Sequence, residues 1–213
     1  MTRSRSRVGQ QRLRDDTVIS ATDGNRGRGL AAAARDAGCP CVIALHALVS
    51  AERDRAIAAL DARIVRVAGN YGDSVQEAAR LAAANGWQVI SDTSYEGYED
   101  IPRDVMQGYG AIAAEITEQA GPFSHVILQG GVGGLAAGLT SCWWELLGAA
   151  RPRFIVVEPA QADCLLQSAI QARAAHATGS VDSVMAGLAR GEASPLAWPP
   201  CSNCVATLRY PPR

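Results

Sequence analysis

The 213-residue sequence contains no lysine; every one of its 20 basic residues is arginine. Arginine bias follows codon composition in GC-rich genes, but a complete absence has a chemical consequence. A guanidinium stays protonated, so these residues offer no side-chain amine for covalent catalysis on a carbonyl. Net charge is also nearly absent, at −1, and nothing in it argues for a nucleic-acid or acidic-membrane partner. No apolar run reaches the ~18 to 20 residues of a membrane span. The opening "MTRSRSRVGQQRLRDD" is Arg-rich with no apolar stretch behind it, which excludes a secretory signal. The expectation is a cytoplasmic protein. What the chain does have is 48% hydrophobic against 19% charged residues, the balance of a globular protein with room for one large or two small domains.

Cysteine is present but poorly arranged for metal. The six stand at 39, 41, 142, 164, 201 and 204. Cys39 and Cys41 are too close for a zinc knuckle, and one C-x-x-C, Cys201 to Cys204, lacks a partner pair. No metal site is expected, and the thiols read as buried or idle.

Short apolar runs alternate with segments of helical period. Strands are predicted at 17–21, 41–46, 63–68, 87–91, 125–129 and 153–158, and helices within 26–38, 50–62, 73–86, 102–121 and 134–148. Near-continuous apolar strands suit a sheet covered on both faces. Asp73 with Gln76 reads as a capping box, and Gly86 as the stop of that helix. The alternation predicts an α/β protein with an open, mostly parallel twisted sheet and helices on both faces. It fades after about Ala160, and 204–213 reads as an irregular tail.

The densest motif is "HVILQGGVGGLAAG", four glycines within five positions at a strand-to-helix turn. Backbone N–H groups and a helix N-terminus converge there, which makes an anion site, and glycines let a phosphate approach. No G-K-[ST] follows, so it is not a Walker loop. Gly131, Gly133 and Ala136 fit a dinucleotide pattern, with Glu158 as the distant acid, but the loop sits on the fifth strand rather than the first. Close helix–sheet packing would also account for the glycines. Asp23 and Asn25 follow the first strand, and Asp92 and Thr93 the fourth, at the strand ends where open sheets bind ligands. Alone, either aspartate also reads as an Asx turn or cap. Tyr95 and Tyr98 read as aromatic walls or core, and Tyr109 as core.

Taken together, "ATDGNRGRGLAAAA", "SDTSYEGYEDIPRDVMQGY", "VILQGGVGGLAAG", "IVVEPAQADC" and "VMAGLARGEASPLAW" resemble the diaminopropionate ammonia-lyase family, in order over 17–203. The resemblance implies a pyridoxal-phosphate enzyme of the tryptophan-synthase-β-like fold (fold type II), with 17–203 as a partial catalytic domain. It implies that Gly130, Gly131, Val132, Gly133 and Gly134 hold the cofactor phosphate through their N–H groups and that Asn25 meets the pyridine 3′-oxygen. Asp23 and Asp92 would remove the α-proton of opposite substrate enantiomers. The implied reaction converts 2,3-diaminopropionate to pyruvate and ammonia, in a homodimer.

The departures from the family are specific. Its cofactor lysine precedes the TDGN motif, and no lysine stands there or elsewhere. Arg26 replaces its histidine, and Arg190 replaces a cysteine, which excludes a disulfide from Cys164 to that position. Residues 1–16 and the last ten match nothing in the family; the former reads as a disordered extension. Arg-rich and Pro-rich ends suggest a truncated or frame-shifted product. Two outcomes follow for these residues: an ammonia-lyase, or an inactive fragment that holds the cofactor weakly. A dinucleotide-binding dehydrogenase domain is a third, resting on the glycine loop alone.

Overall fold

The computed structural model describes residues 16–22, 24–202, 204 and 206–210. These fall into two compact units, divided between Ser91 and Asp92. Residues 1–15 and Asp23 lie outside the described residues, so the N-terminal extension is not tested.

The first unit carries four parallel strands in the order β3-β2-β1-β4. They are β1 (Val18–Ala21), β2 (Cys41–His46), β3 (Arg63–Val67) and β4 (Gln88–Val89). Helices α1 (Asn25–Ala37), α2 (Ala51–Ala58) and α3 (Tyr71–Asn85) connect them. Side chains alternate across β2 as the pleat requires. Cys41, Ile43 and Leu45 pack with Ala31 and Ala34 of α1 and Ile57 of α2. Val42 and Ala44 pack on the other face with Ala78 and Ala82 of α3. Both faces are covered, as the apolar strands predict.

Two local expectations shift. The cap of α3 lies three residues earlier than predicted. Asn70 accepts from the Asp73 N–H, while the Asp73 carboxylate accepts from the Asn70 N–H at 2.7 Å. Asp73 is thus the third residue of the box rather than its first. Gly86 ends the helix in the left-handed region, as predicted. β4 is shorter than 87–91 because the Ser20 hydroxyl, not a backbone group, donates to the Ile90 carbonyl, at 2.6 Å.

The second unit has a separate sheet of three parallel strands, β5 (His125–Gln129), β6 (Arg153–Pro159) and β7 (Ala206–Tyr210), in that order. One continuous sheet, as the sequence suggests, is therefore replaced by two. Helices α4 (Asp100–Gln119), α5 (Gly134–Leu147), α6 (Cys164–Gln171) and the single turn α7 (Trp198–Cys201) accompany it. Leu128, Phe154 and Val156 point into a core with Met106 and Ala113 of α4, Leu139 and Trp143 of α5, and Leu165 of α6. The Trp143 indole N–H donates to the Thr117 hydroxyl at 2.9 Å, tying α5 to α4. The other face is thinly covered, with Ile127 69% exposed. The segment read as an irregular tail contains β7, paired residue for residue with β6 from Ile155↔Ala206 to Pro159↔Tyr210.

Candidate functional site

The glycine loop joins β5 to α5 in the second unit. Its first residue belongs to the sheet, because the Gly130 N–H donates to the Val157 carbonyl at 2.8 Å. A Cβ on Gly130 would lie 2.6 Å from Val156 and 2.9 Å from Glu158. This corrects the expectation that Gly130 donates to a phosphate: its N–H is committed to strand pairing, and it is glycine for close packing.

The remainder turns out of the sheet. Gly133 caps α5 with φ +97°, a conformation open to glycine and costly for other residues. Its carbonyl accepts from the Ala137 N–H at 2.8 Å, the first bond of the helix. The N–H groups of the opening turn have no carbonyl of their own helix to reach, so Gly134 and its neighbours present donors and the positive end of the helix dipole. A Cβ on Gly131 would meet Arg190 Cγ at 3.5 Å, an ordinary contact. The stem of Arg190 therefore packs beside the cradle.

Asp92 is brought to this loop. A Cβ on Gly134 would lie 3.6 Å from the Asp92 carbonyl oxygen. The Asp92 carboxylate accepts from the Thr93 hydroxyl at 3.4 Å. Two residues on, the Ser94 hydroxyl meets that of Ser194 at 2.8 Å, and the Ser194 N–H donates to the Val132 carbonyl at 2.9 Å. This serine bridge from the Asp92–Ser94 segment to the loop had no signature in the sequence, because its members lie 100 residues apart.

Asn25 opens α1 in the first unit and is exposed. It borders a cavity of about 560 Å³ with Arg28, Ser50 and Arg53. Arg26 does not project freely, since its guanidinium donates to the Ala21 carbonyl and to the Tyr71 hydroxyl. Tyr95 is exposed and stacks on Tyr98, with ring centroids 4.9 Å apart. Tyr109 packs its Cβ toward Gly138 of α5.

Glu158, which a dinucleotide site would need for a ribose, is used internally. It is fully buried, and its two oxygens accept from the Leu165 and Leu166 N–H groups at 2.8 and 2.9 Å. Burial raises its pKa to about 7, against the lowering effect of these two bonds. Cys164 is a free thiol, 3.3 Å from the Gly131 carbonyl oxygen and pushed up to about 12 by burial. Among the described residues, no three His, Cys, Asp or Glu side chains gather as a metal site, and no helix is long and apolar enough to cross a membrane.

Residues 4–209 match the family model of pyridoxal-phosphate-dependent enzymes. The chain belongs to this family. It is 38% identical over 193 residues to the diaminopropionate ammonia-lyase of Escherichia coli K12, covering 89% of this chain and 48% of that protein. The Salmonella typhimurium enzyme of the same name gives 38% over 197 residues, covering 89% and 49%. A crystal structure of the Escherichia coli enzyme in complex with an aminoacrylate-PLP azomethine reaction intermediate superposes with a TM-score of 0.78 at 38% identity, covering 88% and 49%. A threonine deaminase from Solanum lycopersicum superposes at 0.81 with 23% identity, a likeness of fold. This pyridoxal-phosphate family chain therefore spans about half the length of the ammonia-lyases it resembles. The family match also separates its glycine loop from the dinucleotide fingerprints that the spacing alone left open.

Proposed function

We propose that the chain carries the phosphate cradle and an acid of a carbon–nitrogen lyase that converts 2,3-diaminopropionate to pyruvate and ammonia. The observation behind this is the glycine turn at the head of α5, with the Asp92 main chain packed against Gly134. The turn suits the phosphate of pyridoxal phosphate: Gly133 holds a positive φ, Gly131 is uncrowded, and no side-chain cap hydrogen bond is made at the helix start. Gly131, Val132, Gly133 and Gly134 would hold that phosphate, and Asn25 would meet the ring oxygen. When bound, the cofactor supplies the electron sink that makes the α-proton of an amino acid removable. Asp92 takes that proton from one enantiomer and Asp23 from the other, each needing a carboxylate within hydrogen-bond reach of the α-carbon. A cytoplasmic homodimer is the assembly we assign to the complete enzyme.

A second reading rests on one observation, the absence of lysine from residues 1–213. These residues cannot supply the side-chain amine that anchors the cofactor covalently. By themselves they hold it through the phosphate and do not turn over. Titration of the purified chain with pyridoxal phosphate and with pyridoxal tests the cradle, alongside a pyruvate assay on both enantiomers. Tighter binding of the phosphate-bearing compound, by about tenfold or more, with no pyruvate, is expected for the isolated chain. Equal binding of the two compounds would remove the cradle. Pyruvate production lost in Asp23→Asn and Asp92→Asn would restore full catalysis to these residues.

A further inference from the structure

The C-x-x-C at the end of α7 finds no use in the proposed lyase, yet both of its sulfurs sit at the glycine loop and the helix that follows it. Cys201 is buried, with its thiol 3.5 Å from the Gly133 carbonyl oxygen. Cys204 is half-buried, with its sulfur 3.9 Å from the Thr140 hydroxyl of α5. The Cys204 N–H donates to the Cys201 carbonyl at 2.9 Å, closing a turn between the two. A turn closed this way keeps its end α-carbons within ~7 Å, close to the 4.4–6.8 Å that a disulfide commonly spans.

We propose that Cys201 and Cys204 form a redox-reversible dithiol beneath the glycine loop, closed to an internal disulfide by low-molecular-weight disulfides such as oxidised glutathione. The Cys204 sulfur attacks the disulfide, forms a mixed disulfide and releases one thiolate. The Cys201 thiol loses its proton and attacks the Cys204 sulfur, releasing the second. Two protein thiols become one disulfide, and the added disulfide becomes two thiols.

The order of attack follows from the surroundings. Cys204 is the more accessible of the two, and its interaction with Cys201 lowers its pKa, while interaction with Cys204 and burial, with Glu158 and Cys164 nearby, hold the buried Cys201 well above the ordinary thiol range. Elsewhere burial leaves thiols inert: Cys41 is pushed up to about 11, and Cys142 is also raised. Oxidation also removes the S–H that Cys201 donates to the Gly133 carbonyl, so the bond forms at a cost to the cap of α5.

The test uses the native chain, treated with oxidised glutathione under non-denaturing conditions and mapped by peptide mass spectrometry. Loss of two hydrogens in a single Cys201–Cys204 linkage, reversed by dithiothreitol, is expected. Brief alkylation of the reduced chain should mark Cys204 before Cys41, Cys142 and Cys164. Cys201→Ser should stop at a stable glutathione adduct on Cys204. A Cys39–Cys41 linkage, a lasting adduct on native Cys204, or no reaction would each overturn the proposal.

Discussion

The hydroxyls of Ser94 and Ser194 lie 2.8 Å apart and are both buried, although 100 residues separate them. Ser94 also accepts from the Leu196 N–H at 3.0 Å, and Ser194 accepts from the Ser94 N–H at 3.1 Å. Four polar groups thus satisfy one another out of water, and through the Ser194 N–H the set reaches the Val132 carbonyl. Within the second unit, the segment Asp92–Ser94 is fixed to the glycine loop by this bridge.

Removing one hydroxyl therefore costs more than one hydrogen bond. Ser94→Ala leaves the Leu196 N–H without its acceptor and takes from the Ser194 hydroxyl one of its two partners, the Ser94 N–H remaining. A loss of about 1–3 kcal/mol in unfolding free energy is expected for such orphaned groups, read from urea denaturation. Ser94→Ala with Ser194→Ala should cost less than the sum of the single changes, because the two act on one network.

The glycines of the loop are not equivalent, and alanine separates them. At Gly133 the positive φ and the Leu165 side chain, 3.0 Å from a new Cβ, both oppose substitution. Gly133→Ala should destabilise by more than about 1 kcal/mol. At Gly131 the new methyl meets only ordinary contacts. Gly131→Ala should fold with a melting temperature within a few degrees of the parent, since under 1 kcal/mol is at stake. Thermal unfolding followed by circular dichroism distinguishes the two.

Glu158 gives the stability a pH dependence of defined sign. Its pKa in the folded chain, about 7, lies above the ordinary 4.5. Below pH 4.5 the carboxyl is protonated folded or unfolded, and its contribution is fully present. Between 4.5 and about 7 the unfolded chain gives up the proton while the folded chain keeps it, so stability falls as pH rises. Over that window the loss approaches ~3 kcal/mol. The same titration of Glu158→Gln should lack this component; identical pH profiles for the two proteins would refute the assignment.

Period and punctuation made the strands and most helices legible. β2 was readable because each of its faces meets a different helix layer, which leaves CVIALH without a polar stripe. Gly86 was readable because a helix stop is a local event. The sequence was silent where pairing is non-local. β7 is a strand by virtue of its ladder with β6, and its own composition reads as loop. The capping box was misplaced by three residues because Asn70 and Asp73 are both competent caps, and only the path of the chain chooses between them. Within the site, the glycine motif and Asp92 were recognisable from their motifs. The division of labour inside the loop was not, since Gly130 and Gly131 are identical letters facing different neighbours.

That division has a consequence for how occupancy of the loop would be seen. Gly130 is locked by Val157 whether or not an anion is present, so its amide proton should exchange slowly in either state. The amides that follow owe nothing to the sheet. An anion settling on them would slow their exchange while Gly130 stayed silent, giving a boundary one residue wide between scaffold and receptor.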